Sequence, residues 1–363
     1  MLPGTDFLPS AGPGGAAVGL LVGALLMIVI SASYGYMIVK FPESGGEFIY
    51  IMKTFGKRHA FVGAWSLIFA YSLLIPINGT AMGLLFRFFL PGFIQFGKLY
   101  NIAGWDVYFG EILVAIITIV LVAGFNMLGV ALSGWLQTVT SFLMGASILA
   151  VTAAVFLSPT VNFDNLQPLF SSATAGVSYK GIFAVLAIAP WAFVGFDCIP
   201  QMAEEYKFSH FKAKMIMFAS LLFAACMYIC VCTITAMAMP WQELIANNYY
   251  WPTGVSVSMT VGKYGLMLMG IAMFCGILST MNAFFLASSR LIYSVAVEKG
   301  LPEKYTKLHP KYQTPTNAIL FLCVFSLIGP WFGRQVLSWI IDMTSVGTAL
   351  VFFYTTAAAA KIA

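Results

Sequence analysis

The sequence predicts an all-α protein that crosses a membrane many times, and three observations predict it. Hydrophobic residues fill 60% of the 363 positions and charged residues only 9%, against roughly 25% charged in soluble domains; mean hydropathy is +0.90. Nine apolar stretches reach or approach the ~20 residues that a helix needs to span a bilayer: about 15–39, 60–90, 108–129, 132–157, 181–203, 213–239, 264–289, 316–332 and 335–357. No strand-like alternation competes with them, each stretch being far longer than the ~10 residues of a barrel strand. The linkers are short, so a single membrane domain over 1–363 is expected.

Charge placement orients the spans. Of 18 Lys and Arg, 13 fall on alternate connections: Lys40, Lys53, Lys57 and Arg58, then Lys207, Lys212 and Lys214, then Arg290, Lys299, Lys304, Lys307 and Lys311, and last Lys361. Those connections are read as cytoplasmic, and Arg87, Lys98, Lys180, Lys263 and Arg334 as lying on the opposite side. This puts Met1 outside although Met1–Gly15 holds no signal peptide, so a further membrane segment is expected ahead of it.

In chain order, MLPG (Met1–Gly4) and the Gly- and Pro-rich Thr5–Gly15 lead into the first stretch. The connection Lys40–Gly56 carries Ser44 and Glu47 at the spacing of a capping box, which predicts a helix start at the cytoplasmic face. In 60–90, Pro76 should bend the helix, and Asn78 could hydrogen-bond a ligand or a neighbouring helix. The tight NMLGVALSG (Asn126–Gly134) joins the next two stretches, and no Lys or Arg occurs from Leu99 to Tyr179.

The stretch AIAPWAFVGFDCIPQMAEEY (Ala187–Tyr206) departs from the pattern. Pro190, Gly195 and Pro200 interrupt an apolar run, and a carboxylate, Asp197, lies inside it. Proline removes a backbone donor and glycine lowers the cost of non-helical backbone, so a break is predicted near Phe193 to Asp197. At membrane depth, free peptide groups are tolerated only where protein or a water-filled cavity satisfies them, which makes the break a candidate ligand site. Asp197 has two readings, an N-cap accepting donors near Ile199 or a side chain that titrates.

Beyond the break come Glu204, Glu205 and the basic HFKAK, then 213–239 and the outer loop Trp241–Gly254. The stretch from Tyr264 runs through Ser279, Thr280 and Asn282 to Arg290 and continues as a helix, and Glu298–Pro315 closes the following loop. The last stretch holds Asp342. All six cysteines lie in apolar segments and are read as small hydrophobes; Cys226 and Cys230 have no histidine near them.

Three separated motifs, FPESGGEF (Phe41–Phe48), WAFVGFD (Trp191–Asp197) with the following AEE, and SSRLIYSVAVEKGLP (Ser288–Pro302), resemble the amino acid-polyamine-organocation superfamily of transporters in their order. The resemblance covers nearly the whole chain. It implies an inverted-repeat core of five plus five helices, with the first and sixth broken at mid-membrane. MLPG then looks like the tail of that first helix, whose first half would precede this sequence, and the chain would stop after the tenth helix where most members have twelve.

That resemblance implies a secondary active transporter, a permease that moves amino acids by alternating access in the cell (plasma) membrane. The alternatives are a polyamine or other small-amine transporter, or a non-transporting nutrient sensor on the same scaffold. It implies substrate binding by Trp191, Phe193, Val194 and Gly195, to which Asn78 is added as a candidate, and a cytoplasmic gate at Glu204 and Glu205. Some proton-coupled members carry a lysine in the fifth helix in place of sodium; that position aligns near Met144 here. Ser279 and Thr280, about three turns before Arg290, are candidate ligands for a sodium ion, a hard cation that prefers oxygen. The competing reading is hydroxyls bonded to their own backbone or a neighbouring helix. The coupling ion is therefore read as sodium or as a proton carried through Asp197, with uncoupled exchange also open and no other cofactor.

The partners expected are a small amino acid or amine and the lipid bilayer, with no nucleic acid. Asp197 alone is central, with Asp342 nearer the outer face and Glu111 outside the core, which favours a substrate with one ammonium group. An enzyme is not expected, because His59, His210 and His309 all fall on cytoplasmic connections and no glycine pair has P-loop spacing.

Overall fold

A computed structural model describes residues 3–102, 104–171, 179–205, 207–247, 249, 251–333 and 335–363. Within them, a π-helical turn at Pro3–Phe7 opens into α1 (Leu8–Lys40), followed by α2 (Gly46–Phe55), α3 (Lys57–Phe89) and α4 (Pro91–Ile94). A hairpin, β1 (Lys98–Ile102) and β2 (Trp105–Tyr108), precedes α5 (Phe109–Met127), α6 (Val130–Phe156), α7 (Tyr179–Ala192) and α8 (Cys198–Gln201). The chain continues through α9 (His210–Met237), α10 (Trp241–Ala246), α11 (Pro252–Val297), α12 (Thr316–Ser326) and α13 (Gln335–Ile362).

Among the described residues, seven helices are long and apolar enough to cross a membrane, and they fall on seven of the nine predicted stretches. The other two are shorter. α7 stops at the predicted break, and α12 stops at Ser326 ahead of Gly329-Pro330, giving way to a 3-10 turn at Gly329–Phe332. α3 continues through Pro76 as a single helix. α11 is interrupted at Gly262 (φ 75°), so its long part begins beside the predicted start at Tyr264. The hairpin was not expected from hydropathy. It is held by polar groups, with Asp106 accepting from Asn101 at 2.8 Å and from Lys98 at 2.7 Å. These donors hold the Asp106 carboxyl below its usual range, the Asn101 amide first.

The chain divides into two compact units, Met1–Ile28 with Ser141–Phe193 and Ser220–Gly276, and Val29–Thr140 with Val194–Ala219 and Ile277–Ala363. In the first unit, Gly19 and Gly23 of α1, one turn apart, press onto α7: added Cβ atoms would sit 2.9 Å from Val185 Cβ and 2.7 Å from Ala189 Cβ. Small residues at this spacing let helix backbones approach in a membrane. Irregular backbone at 165–171 is tied in by Asn165 donating to the Met237 carbonyl and Trp241 Nε1 to that of Pro168, at 2.9 and 3.0 Å.

In the second unit, α3 packs closely on α5, where a Cβ on Gly79 would lie 2.8 Å from Ile119 Cδ1. At the hairpin, Arg87 pairs with Glu111 at 2.9 Å and lies 4.5 Å from the Trp105 ring centroid. The expected capping box does not form: Gly45, not Ser44, precedes α2, and no side chain caps it. Glu47 is instead buried. It lies between the Gly45-Gly46 turn and the buried Phe48–Ile51 run, so its side chain is carried inward rather than back over the helix start.

Candidate functional site

The helix break lies where Pro190 and Gly195 place it. The last regular bond of α7 runs from Phe193 N–H to the Ala189 carbonyl at 3.0 Å. Gly195 then turns into the left-handed region (φ 124°), with nothing within 4 Å of where a Cβ would be. Its N–H, lost to the helix, donates to Asp197 Oδ1 at 2.7 Å. Helical bonding resumes when the Gly195 and Phe196 carbonyls accept from Cys198 and Ile199 at 3.1 and 3.2 Å. The Ala192 carbonyl accepts the Tyr228 hydroxyl at 3.0 Å. The carbonyls of Phe193 and Val194 accept no hydrogen bond among the described residues. Phe193 is buried and meets Tyr228 edge to face at 6.0 Å. The half-buried Trp191 shields an indole N–H that has no acceptor among the described residues.

Asp197 is fully buried and accepts from the Tyr71 hydroxyl of α3 at 2.6 Å as well as from Gly195. It occupies the N-cap position of α8, but its side chain does not reach the donors near Ile199. Those donors are taken by the Gly195 and Phe196 carbonyls, so the carboxylate turns back to the Gly195 N–H, a donor that the break released. Phe196 packs against Tyr34 and Phe352 at 5.3 and 5.6 Å, and Tyr71 against Phe284 at 5.4 Å.

Below the break the three motifs meet within the second unit. Gly45 N–H donates to the Gln201 carbonyl at 3.3 Å, and Glu204 N–H to Ser44 Oγ at 3.2 Å. Ser294 Oγ donates to the Ser44 carbonyl at 3.0 Å. Both Gly45 and Gly46 have positive φ, and a Cβ on Gly46 would press to 2.9 Å from Gln201 Nε2, so this turn needs glycine for conformation and for room. Gln201 Nε2 donates to Glu47 Oε2. Glu205 pairs with Arg290 at 3.0 Å, with the arginine side chain 4% exposed and the glutamate 30%. This pair is more buried than a surface ion pair. The Glu204 side chain forms no ion pair among the described residues.

Other candidate residues separate. Asn78 spends an amide hydrogen on the Leu74 carbonyl of its own helix at 2.8 Å. Ser279 and Thr280 are not brought to one site: successive residues diverge around a helix of about 3.6 residues per turn, and Ser279 is buried whereas Thr280 is exposed. Ser279 Oγ accepts from Gln137 at 2.7 Å, and Gln137 in turn accepts from Asn282 at 3.0 Å. Asn282 donates to the Ser133 carbonyl and accepts from Asn126, joining α5, α6 and α11. In the first unit, a Cβ on Gly276 would lie 3.1 Å from Met144 Sδ, so position 144 of α6 does face α11. No cluster of His, Cys, Asp and Glu able to hold a metal occurs among the described residues. The Asp342 side chain lies outside those described.

Sequence reasoning missed Tyr71, Gln137, Gln201 and the burial of Glu47. The signal for Glu47 was the unbroken apolar FIYI that follows it, which marks a helix buried all round rather than an exposed start.

The fold and the break define a multi-pass helical membrane protein built around an interrupted span. The sequence profile of the amino acid permease family matches residues 3–363, and the chain belongs to that family. It is 25% identical over 336 residues to a vacuolar cationic amino acid transporter of Arabidopsis thaliana, covering 91% of this chain and 54% of that protein. It is 24% identical over 362 residues to a branched-chain amino acid permease of Bacillus subtilis, covering 97% and 74% respectively. A serine/threonine exchanger of the same bacterium is 23% identical over 331 residues, covering 90% and 71%. The chain thus spans little more than half the length of the first of these relatives.

Proposed function

We propose that this chain is the transport core of a secondary transporter that moves amino acids across the cell (plasma) membrane by alternating access around the break. The observation that carries the reading is that the Phe193 and Val194 carbonyls accept no hydrogen bond among the described residues, beside a left-handed Gly195 in an otherwise apolar segment. Carbonyls at a helix C-terminus carry partial negative charge and suit an ammonium group. The relatives named above are called cationic, branched-chain and serine/threonine carriers, three unlike side chains. What those amino acids share is the α-ammonium and carboxylate, which is the part that backbone groups at a break can recognise.

In this reading the Phe193 and Val194 carbonyls take the ammonium, and Gly195 keeps the approach open because no side chain crosses it. Trp191 stacks on the substrate side chain. Asp197 fixes the far side of the turn. Glu205 with Arg290 closes the cytoplasmic side, and Glu204 extends that acidic edge.

The test is uptake of labelled amino acids by the chain reconstituted in proteoliposomes, with binding followed in parallel. Saturable uptake and exchange are expected, both weakened by Trp191→Ala. Binding without flux would instead favour a sensor on this scaffold, and polyamine uptake without amino acid uptake would overturn the substrate class.

A further inference from the structure

Among the described residues, two carboxylates are fully buried in the second unit, Glu47 and Asp197, and their surroundings differ. Asp197 has a donor for each oxygen, the Tyr71 hydroxyl for one and Gly195 N–H for the other, and is hydrogen-bonded at both oxygens. Glu47 is not. Its Oε2 accepts from Gln201 Nε2, but Oε1 is shielded from solvent without a formed hydrogen bond, the Tyr34 hydroxyl being the side-chain donor set toward the carboxyl, and Gln201 Oε1 is likewise buried without a donor. The groups that face Glu47 are Tyr34 from α1, Tyr71 from α3, and Asp197, Cys198 and Gln201 from the segment after the break; Thr355 of α13 lies beside Tyr34. None of these is a cation, and Glu47 joins no ion pair among the described residues. A buried carboxylate oxygen left without a formed hydrogen bond is disfavoured, and so is a buried amide oxygen left without a donor.

One proton answers both. We propose that Glu47 is a proton-binding site: protonated on Oε1, it donates to Gln201 Oε1 while Gln201 Nε2 donates to its Oε2, so that acid and amide form a closed pair. The pair joins α2 to the segment after the break, beside the Gly45 to Gln201 and Glu204 to Ser44 bonds. When that turn and that segment part, water reaches the carboxyl, the Oε1–H bond breaks, and the proton passes to water on the cytoplasmic side. Re-forming the pair takes a proton back. Resting on the transporter reading, this makes the proton the coupling ion and Glu47 its carrier.

The experiment has two readouts. Infrared difference spectra of the chain in nanodiscs at neutral pH should show the carbonyl stretch of a protonated, buried carboxylic acid. Glu47→Gln should abolish that band, and Asp197→Asn should leave it. In proteoliposomes holding a pH-sensitive dye, amino acid uptake should move protons, and Glu47→Gln should lose the proton movement while keeping amino acid exchange. A band that survives Glu47→Gln, absence of any band, unchanged proton movement in that variant, or uptake that needs sodium instead would each overturn the proposal. If Glu47→Gln does not fold, Glu47→Asp replaces it, and the band must shift in frequency. Lack of amino acid flux in the parent chain would count against the transporter reading, and the infrared band would then decide the proton site by itself.

Discussion

Replacing Tyr71 by phenylalanine removes one oxygen and nothing else, because the ring can keep its place 5.4 Å from Phe284. The bond lost is a 2.6 Å hydroxyl to carboxylate contact in a fully buried setting. Bonds of this class contribute about 1.5–3 kcal/mol, and a buried acceptor left without its donor costs about the same. Asp197 keeps the Gly195 N–H, so the loss should stay in that range rather than reach the cost of an isolated charge. Expressed as an equilibrium, this is roughly a ten- to hundredfold shift toward states in which the break is loosened. The assay is a double-mutant cycle of Tyr71→Phe and Asp197→Asn, read by denaturation in detergent micelles. A coupling energy of about 1–3 kcal/mol is expected for groups in direct contact. Substrate affinity should fall in parallel, since Asp197 is what holds Gly195 in its turn. A coupling below about 0.5 kcal/mol, the usual error of additivity, would refute the claim that Tyr71 anchors Asp197.

Gly195→Leu forces a side chain into a backbone region that costs about 1–3 kcal/mol for most residues; with space open around it, the protein should fold but lose substrate binding, and unchanged affinity would remove Gly195 from the site. Glu205→Ala leaves an almost fully buried guanidinium unpaired; with Glu205 itself partly exposed, the cost should be about 1–3 kcal/mol, below the 3–5 of a wholly buried pair. Double charge reversal at Glu205 and Arg290 should recover part of it, and equal reactivity of a cytoplasmic reporter cysteine in all variants would sink the gate. Because Ser279 is engaged by Gln137 and Thr280 faces away from it, uptake should persist when choline replaces sodium at fixed pH; sodium dependence abolished by Ser279→Ala with Thr280→Val would restore the sodium site.

Most of the helical framework was legible because a lipid-spanning helix must announce itself as one long apolar run, a signal that needs no tertiary context. α3, α5, α6 and α9 lie within a few residues of their expected bounds. The exceptions have local causes. α12 is cut short by Gly329-Pro330, and the hairpin at 98–108 rests on Asn101, Asp106 and Lys98, polar contacts to which hydropathy is blind. The capping box failed for a different reason. Serine and glutamate at that spacing describe a free helix end, whereas here the glutamate is claimed by Gln201, 154 residues downstream.

The break itself was legible because Pro190, Gly195 and Asp197 each violate what an apolar span prefers, and the violations coincide. Its partners were not, since nothing in the order of residues says that Tyr71 should meet a carboxylate 126 positions away. Yet a buried carboxylate must find donors, and a donor freed by a break must find an acceptor, so the Gly195 to Asp197 bond follows from the break alone. The same logic explains the spread of the three motifs. Ser44 accepts from Glu204 and its carbonyl from Ser294, 250 positions on, while Glu205 holds Arg290. FPESGGEF, AEE and SSRLIYS are therefore pieces of one contact, and the double glycine belongs to it because Gln201 leaves no room for a side chain at Gly46. A change in any one piece should be felt at the other two.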